Sequence, residues 1–189
     1  MKIISGKYKG KVFVAPKGIR PTPQRLRKAI FDILGDISDF SFLELFAGSG
    51  AVSWEALSKG IKRSVLVESN PYCLRAIYQN IKVLDKDSSK VKVYPLDVEE
   101  AIMKLHKEKE SFEIIFLDPP YLKGLVKKTL QRLTLYDILA PTGFIIVQHT
   151  KKEDLPEALG DLILFKQYNY GETKLSFYKK DVSKGSLSR

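Results

Sequence analysis

Phe112-Glu113-Ile114-Ile115-Phe116-Leu117-Asp118-Pro119-Pro120-Tyr121 is the stretch from which the rest of the chain is best understood. Phe112, Ile114, Ile115, Phe116 and Leu117 form a near-continuous apolar run, the pattern of a strand covered on both faces of a parallel sheet. Asp118 ends the run. The two prolines that follow stop strand and helix alike, because neither ring nitrogen can donate a hydrogen bond. In an open α/β sheet, ligands collect outside the carboxyl ends of the strands. A carboxylate from Asp118, an acceptor carbonyl from Pro119 and an aromatic face from Tyr121 would converge there, a trio suited to an amine on a flat heterocycle. From these four residues alone an ordinary turn is an equal alternative, since Asp, Pro and Tyr are common loop residues.

Outward from this stretch the chain alternates. Its periodicity predicts strands at 42–46, 63–68, 91–95, 112–118 and 143–149, separated by amphipathic helices at about 50–59, 71–84, 97–107 and 123–135. That rhythm predicts a doubly wound, mostly parallel α/β sheet with helices on both faces. Segments 162–168 and 173–179 flank Tyr170-Gly171-Glu172 and predict a closing antiparallel hairpin at one edge. Ahead of the core, Ile3-Ile4-Ser5-Gly6 and Lys11-Val12-Phe13-Val14 predict the two strands of a small N-terminal β-hairpin arm. Thr22 before Pro23 fits the N-cap of a helix reaching about Leu34. Its inward face would be Leu26, Ala29, Ile30, Ile33 and Leu34, leaving Gln24, Arg27 and Lys28 outward. The expected organisation is a basic hairpin and helix over 1–35 packed as part of one domain, a core over 36–180, and a disordered tail over 181–189.

The net charge of +10 is concentrated in the arm, where residues 1–35 carry nine Lys or Arg against one acid, Asp32, and so hold +8 of it. Such clustering favours a polyanionic partner, nucleic acid first, over a merely solvated arm. Lys7, Lys9, Lys11, Arg20, Arg25 and Arg27, with Thr22 among them, are the candidate RNA contacts, positioning the polymer through its phosphates. The single cysteine, Cys73, cannot form an intramolecular disulfide, and the charged opening Met1–Lys7 leaves no room for a signal-peptide core; both point to the cytoplasm. No apolar run approaches the ~20 residues of a membrane span. Cys73, His106 and His149 are too few for a dedicated zinc site, so neither membrane nor metal is expected. No long apolar stripe asks for a partner subunit, which predicts a monomer.

Glu44-Leu45-Phe46-Ala47-Gly48-Ser49-Gly50 occupies the turn from the first core strand into its helix, where small residues let a ligand approach the backbone. A dinucleotide is the obvious rival, but its fingerprint requires a third small residue, G-x-G-x-x-G/A, and here Ser53 stands where it should be. Two further acids bear on the choice. Glu68 ends the second strand, where a carboxylate can hold a ribose diol, and Asp97 follows the third. Each alone could be a helix N-terminal acid favoured by the dipole. Together with Glu44, which could meet a cationic amino group, they favour S-adenosylmethionine.

With these motifs in order, the chain resembles a Rossmann-like S-adenosylmethionine-dependent methyltransferase, and more narrowly the bacterial 16S ribosomal RNA guanine-N2 methyltransferases of the RsmD family. The resemblance spans nearly the whole chain, from Ile3-Ile4-Ser5-Gly6 and Arg20-Pro21-Thr22, through Phe46-Ala47-Gly48-Ser49-Gly50 and Asp118-Pro119-Pro120-Tyr121, to Tyr170-Gly171-Glu172-Thr173. It implies a seven-stranded sheet, a methyl donor at the glycine turn and a guanine of small-subunit rRNA, free or in an assembled particle, as substrate. By position it implies that Glu44, Phe46, Ala47, Gly48, Ser49 and Gly50 line the methionine end, Glu68 the ribose and Asp97 the adenine, with S-adenosylhomocysteine as product and Asp118, Pro119, Pro120 and Tyr121 as the catalytic group. The chain departs from the usual pattern at Lys28 and Asn70, where acids are common, and at Glu172, where Asp is. An adenine-N6 methyltransferase and a non-catalytic RNA-binding module on the same fold are the alternatives. Catalysis requires that Asp118 and the glycine turn face one another across a shared crevice.

Overall fold

The computed structural model describes residues 1–16, 18–19, 21–120 and 124–181, and the expectations for Arg20, Tyr121 and the tail beyond Asp181 fall outside the described residues. Two compact units divide the chain, Met1–Val98 and Glu99–Arg189. The described residues form a mixed α/β protein of eight strands and five α-helices.

In the first unit, β1 (Ser41–Leu45), β2 (Arg63–Val67) and β3 (Val91–Tyr94) are parallel, with β2 between the other two. Every residue of β1 is buried, as its Ser-Phe-Leu-Glu-Leu sequence requires if both faces are covered. The helices of this unit are α1 (Gln24–Leu34), α2 (Ala51–Ser58) and α3 (Pro71–Ile81). All eight residues of α2 are buried, so this helix is not the amphipathic one its position between strands suggested. Its outer side, polar through Glu55 and Ser58, is covered by the N-terminal arm. Phe13 stacks on Trp54 with centroids 5.6 Å apart and planes at 7°.

That covering also decides the arm's conformation. The expected β-hairpin reduces to one isolated antiparallel bridge, Lys2 with Val12. Ile3 still donates to the Lys11 carbonyl at 3.0 Å, Gly10 to Ile3 at 3.0 Å and Phe13 to Met1 at 2.7 Å, but the intervening N–H groups go to α2: Ile4 and Ser5 donate to the Glu55 carboxylate at 2.9–3.1 Å, Lys7 to the Ser58 carbonyl at 2.7 Å and Tyr8 to Ser58 Oγ at 2.9 Å. Donors taken by α2 are lost to the ladder, so the two segments stay linked by scattered bonds and do not form regular strands. Helix α1 begins at Gln24 with Pro23 as its N-cap, one residue later than the Thr22 cap expected, and Thr22 itself is buried. The buried stripe of α1 is Leu26, Arg27, Ile30 and Phe31, rotated from the expected face because Arg27 turns inward to Glu55.

In the second unit, β4 (Phe112–Leu117) and β5 (Leu139–Thr150) are parallel, β8 (Thr173–Lys180) pairs antiparallel with β5, and β7 (Leu162–Tyr170) with β8. Helices α4 (Val98–Lys107) and α5 (Leu125–Leu135) precede β4 and β5. Strand β5 starts four residues before the expected 143. It contains a register shift, and a Cβ on Gly143 would lie 2.9 Å from the carbonyls of Phe112 and Glu113, so only glycine lets the strands close there. The eighth strand, β6 (Ala158–Leu159), is a two-residue stub on β7, too short for any periodicity to announce.

Candidate active site

Three N–H···O bonds tie together the carboxyl ends of the first unit's strands, where the cofactor residues are expected. Ala47 donates to the Val67 carbonyl at 3.0 Å, Glu68 to the Tyr94 carbonyl at 3.2 Å, and Gly48 to Glu68 Oε2 at 2.7 Å. The glycine turn, Glu68 and the segment leading to Asp97 are therefore neighbours. Phe46, Gly48 and Gly50 have φ of 59°, 55° and 75°, so the chain twists through left-handed conformations at alternate residues. At Gly50 a Cβ would also strike Leu66 Cδ2 at 2.7 Å and the Trp54 ring at 2.8 Å. At Gly48 a Cβ would meet nothing within 4 Å, so that face of the turn is open to a ligand. Ser49 Oγ, in the same turn, is buried with no hydrogen-bond partner.

The turn is held from three sides. Glu68 accepts from Gly48 with one oxygen and from Ser69 and Asn70, at 2.9 and 2.8 Å, with the other. Trp54 Nε1 donates to the Ser49 carbonyl at 2.6 Å, and the buried Asn80 amide reaches the same carbonyl at 3.4 Å while exchanging two bonds with the backbone of Val14. Glu44, buried in β1, accepts from the Ser53 N–H at 2.9 Å. Asn70 caps α3 by accepting from Tyr72 and Cys73, which explains a neutral side chain there. Asp97 is exposed and immediately precedes Val98, the first residue of α4. Trp54, Asn80 and Glu55 escaped sequence reasoning; Trp54 and Glu55 stand out only as amphipathic and charged residues in the mostly apolar α2, and Asn80 lies among other polar residues with nothing local to mark it.

In the second unit, Asp118 is half-buried just past the end of β4, with Pro119 buried and Pro120 exposed. The pairing of Leu117 with Val147 brings Gln148 and His149 of β5 level with Asp118 and Pro119. His149 is buried in a defined tautomer: Nδ1–H donates to the Thr150 carbonyl at 3.0 Å, so Nε2 accepts from Ser176 Oγ at 2.8 Å, which itself accepts from Gln167. Burial holds its pKa below the ordinary histidine value.

The chain matches, over residues 1–179, the family model described as Conserved hypothetical protein 95. YlbH of Bacillus subtilis (strain 168) is 36% identical over 183 residues, covering 95% of this chain and 99% of that protein. Ribosomal RNA small subunit methyltransferase D of Escherichia coli (strain K12) is 28% identical over 186 residues, covering 96% and 91%. Among solved structures, a hypothetical protein of Thermus thermophilus superposes with a TM-score of 0.81 at 32% identity, covering 95% and 99%. The chain belongs to this family, the RsmD-like methyltransferases.

Within this RsmD-like chain the expected nucleic-acid contacts divide sharply. Lys7, Lys9, Lys11 and Arg25 are exposed. Lys7 pairs with Asp87 at 2.8 Å, and the ammonium groups of Lys7 and Lys11 lie 5.4 and 4.9 Å from the Tyr8 ring centre. Arg27 is not a surface residue. It is 3% exposed, pairs with the 1% exposed Glu55 at 3.1 Å and donates to the Lys2 carbonyl. Burial lowers its pKa, opposed by Glu55 and then Glu44. A guanidinium so enclosed cannot reach a phosphate, and Arg27 anchors the arm instead. Thr22, buried at 9% exposure, is likewise withdrawn from the surface. Among the described residues no group of three or more His, Cys, Asp or Glu could hold a metal ion, and no helix is long and apolar enough to cross a membrane.

Proposed function

We propose that this methyltransferase transfers a methyl group from S-adenosylmethionine to the exocyclic N2 amine of a guanine in small-subunit (16S) ribosomal RNA. The observation that carries the donor is the turn at Phe46–Gly50: left-handed, open at Gly48 and tied to the next strand end by Glu68. The Escherichia coli relative, a ribosomal RNA small subunit methyltransferase, supports ribosomal RNA as acceptor. The guanine amine follows from the family resemblance of Asp118-Pro119-Pro120-Tyr121.

S-adenosylmethionine would supply an electrophilic methyl on a sulfonium. Glu44 and residues 46–50 are assigned its methionine end, Glu68 its ribose and Asp97 its adenine. An aromatic amine is a weak nucleophile because its lone pair is delocalised into the ring. Asp118 and the Pro119 carbonyl accept the two amine hydrogens, which lets the nitrogen pyramidalise and aim its lone pair for in-line attack. As the C–N bond forms the C–S bond breaks, the amine turns acidic, and its proton leaves to Asp118 or to water. Tyr121 stacks on a base that must be unpaired or extruded to enter.

The test is methyl transfer from labelled donor to 16S rRNA, free and in assembled particles, and to DNA, with the modified base mapped. Label on a guanine N2 is expected; label on DNA adenine, or none, refutes the proposal. Asp118→Ala should lower turnover by about 10²–10⁴-fold while S-adenosylhomocysteine affinity stays nearly constant, and normal turnover would remove Asp118 from the reaction.

A further inference from the structure

Helix α3 carries an outward face that neither the donor site nor the arm accounts for. Tyr72, Arg75, Tyr78, Gln79 and Lys82 are all exposed, while Cys73, Ala76, Ile77 and Asn80 between them face inward, and the two tyrosines are exposed at 75% and 48%. At 3.6 residues per turn these five positions fall within about a third of the helix circumference, so aromatic and cationic groups alternate along one stripe. No acidic residue occurs from Ser69 to Leu84. Among the described residues Arg75 and Lys82 have no carboxylate partner, whereas Lys28 on α1 is matched by Asp32, and Lys128 and Arg132 on α5 are matched by Glu99.

Both ends of the stripe lead somewhere. At the first, Tyr72 follows Asn70, whose N–H is held by the carboxylate of Glu68 that also holds Gly48 of the glycine turn. At the last, the carbonyl of Val83, next to Lys82, accepts from Lys11 Nζ at 3.3 Å, and Lys7 reaches Asp87 just beyond. A line of aromatic faces and unpaired cations therefore runs from the glycine turn to the lysines of the arm.

We propose that this face of α3, from Tyr72 through Arg75 and Tyr78 to Lys82 and on to Lys11, is a binding track for single-stranded RNA. Bases stack on Tyr72 and Tyr78 while Arg75, Lys82 and the arm lysines meet phosphates. Single strands are singled out because stacking on a side chain needs an unpaired base, and every base offers the same π-face, so the track holds RNA without choosing its sequence. The track rests on the RNA-methylation reading and extends it by naming the path of the strand that flanks the target base.

The experiment is anisotropy titration of a fluorescent single-stranded RNA and of the same RNA in a duplex, over a range of salt, alongside methyl transfer to rRNA. Tyr72→Ala and Tyr78→Ala should each weaken single-strand binding roughly five- to 150-fold, with Tyr72→Phe and Tyr78→Phe restoring it. Arg75→Gln with Lys82→Gln should lower the slope of log K against log salt by about 1.4. S-adenosylhomocysteine affinity and melting temperature should not move, since these side chains lie at the surface. Wild-type protein that methylates rRNA while all these variants bind single strands normally overturns the track and leaves the methylation reading standing. Failure of the wild type to bind RNA overturns the track too. Variants that lose RNA binding in a wild type that transfers no methyl to rRNA uphold the track and refute the methylation reading. A stripe that docks a ribosomal protein instead would leave affinity for naked RNA unchanged, and that result also overturns the assignment.

Discussion

Glu55 makes the strongest quantitative prediction, because one buried carboxylate serves the arm, helix α1 and helix α2 together. Glu55→Ala leaves the N–H groups of Ile4 and Ser5 without their acceptor and the buried Arg27 guanidinium without its partner. Removing one member of a buried ion pair costs about 3–5 kcal/mol. Releasing the arm to rehydrate these groups would expose Ile3, Tyr8 and Phe13, which are 2%, 4% and 1% exposed. At about 1.5–3 kcal/mol for each such side chain, release costs roughly 5–9 kcal/mol, more than the orphaned groups would recover. The arm therefore stays docked and the whole loss falls on global stability. For a chain of this size a loss of about 3–5 kcal/mol lowers Tm by about 6–20 °C. Urea unfolding of the wild type, Glu55→Ala and Arg27→Gln measures the cost, and RNA titration of the same proteins separates anchoring from contact. If Arg27→Gln weakened RNA binding severalfold while its stability stayed within about 0.5 kcal/mol of wild type, Arg27 would be a phosphate ligand and the anchoring account would be wrong.

Three further outcomes are expected. Changing Lys7, Lys9 and Lys11 together to glutamine should reduce the salt slope of RNA binding by about 2, at roughly 0.7 per phosphate contact on a single strand; an unchanged slope would leave the arm without an electrostatic role. His149, held neutral by burial with its folded pKa below 6.5, contributes stability that is fully present above pH 6.5 and is lost as pH falls below it toward the folded value. Urea midpoints at about pH 8, 6 and 5 should therefore fall more steeply in the wild type than in His149→Gln, and parallel curves would contradict this. Gly48→Ala should cost only the ~1–2 kcal/mol of a left-handed non-glycine residue but sharply weaken S-adenosylhomocysteine binding in calorimetry, whereas Gly50→Ala should lose about a further 1–3 kcal/mol through overlap with Leu66 and Trp54. Equal stability of the two variants would show that the crowding at Gly50 is relieved without cost.

Much of this protein is legible in its sequence. The strand and helix positions from 42 to 135 agree with the structure to within about three residues at their ends, because most are written in local periodicity and several are bounded by glycine, proline or a capping side chain, as at Gly50, Asn70-Pro71, Pro119 and Gly124. The small residues at 47–50 announced the turn after β1, and Asp118-Pro119-Pro120 announced the end of β4. These are properties of short segments, and a short segment carries its own backbone preferences wherever it is placed.

What the linear chain left open were the partners of polar groups. A lysine-rich stretch with alternating apolar residues reads as a hairpin, yet the N–H groups of Ile4, Ser5, Lys7 and Tyr8 are satisfied by Glu55 and Ser58, far along the chain, and the ladder shrinks to one bridge and a few scattered bonds. An arginine among exposed neighbours reads as a phosphate ligand, and only the packing of α1 on α2 turns Arg27 toward Glu55 and away from water. Local sequence sets which backbone conformations are cheap. Which side of a helix meets which carboxylate depends on how non-adjacent elements pack, and burial then decides whether a charge is a contact or an anchor.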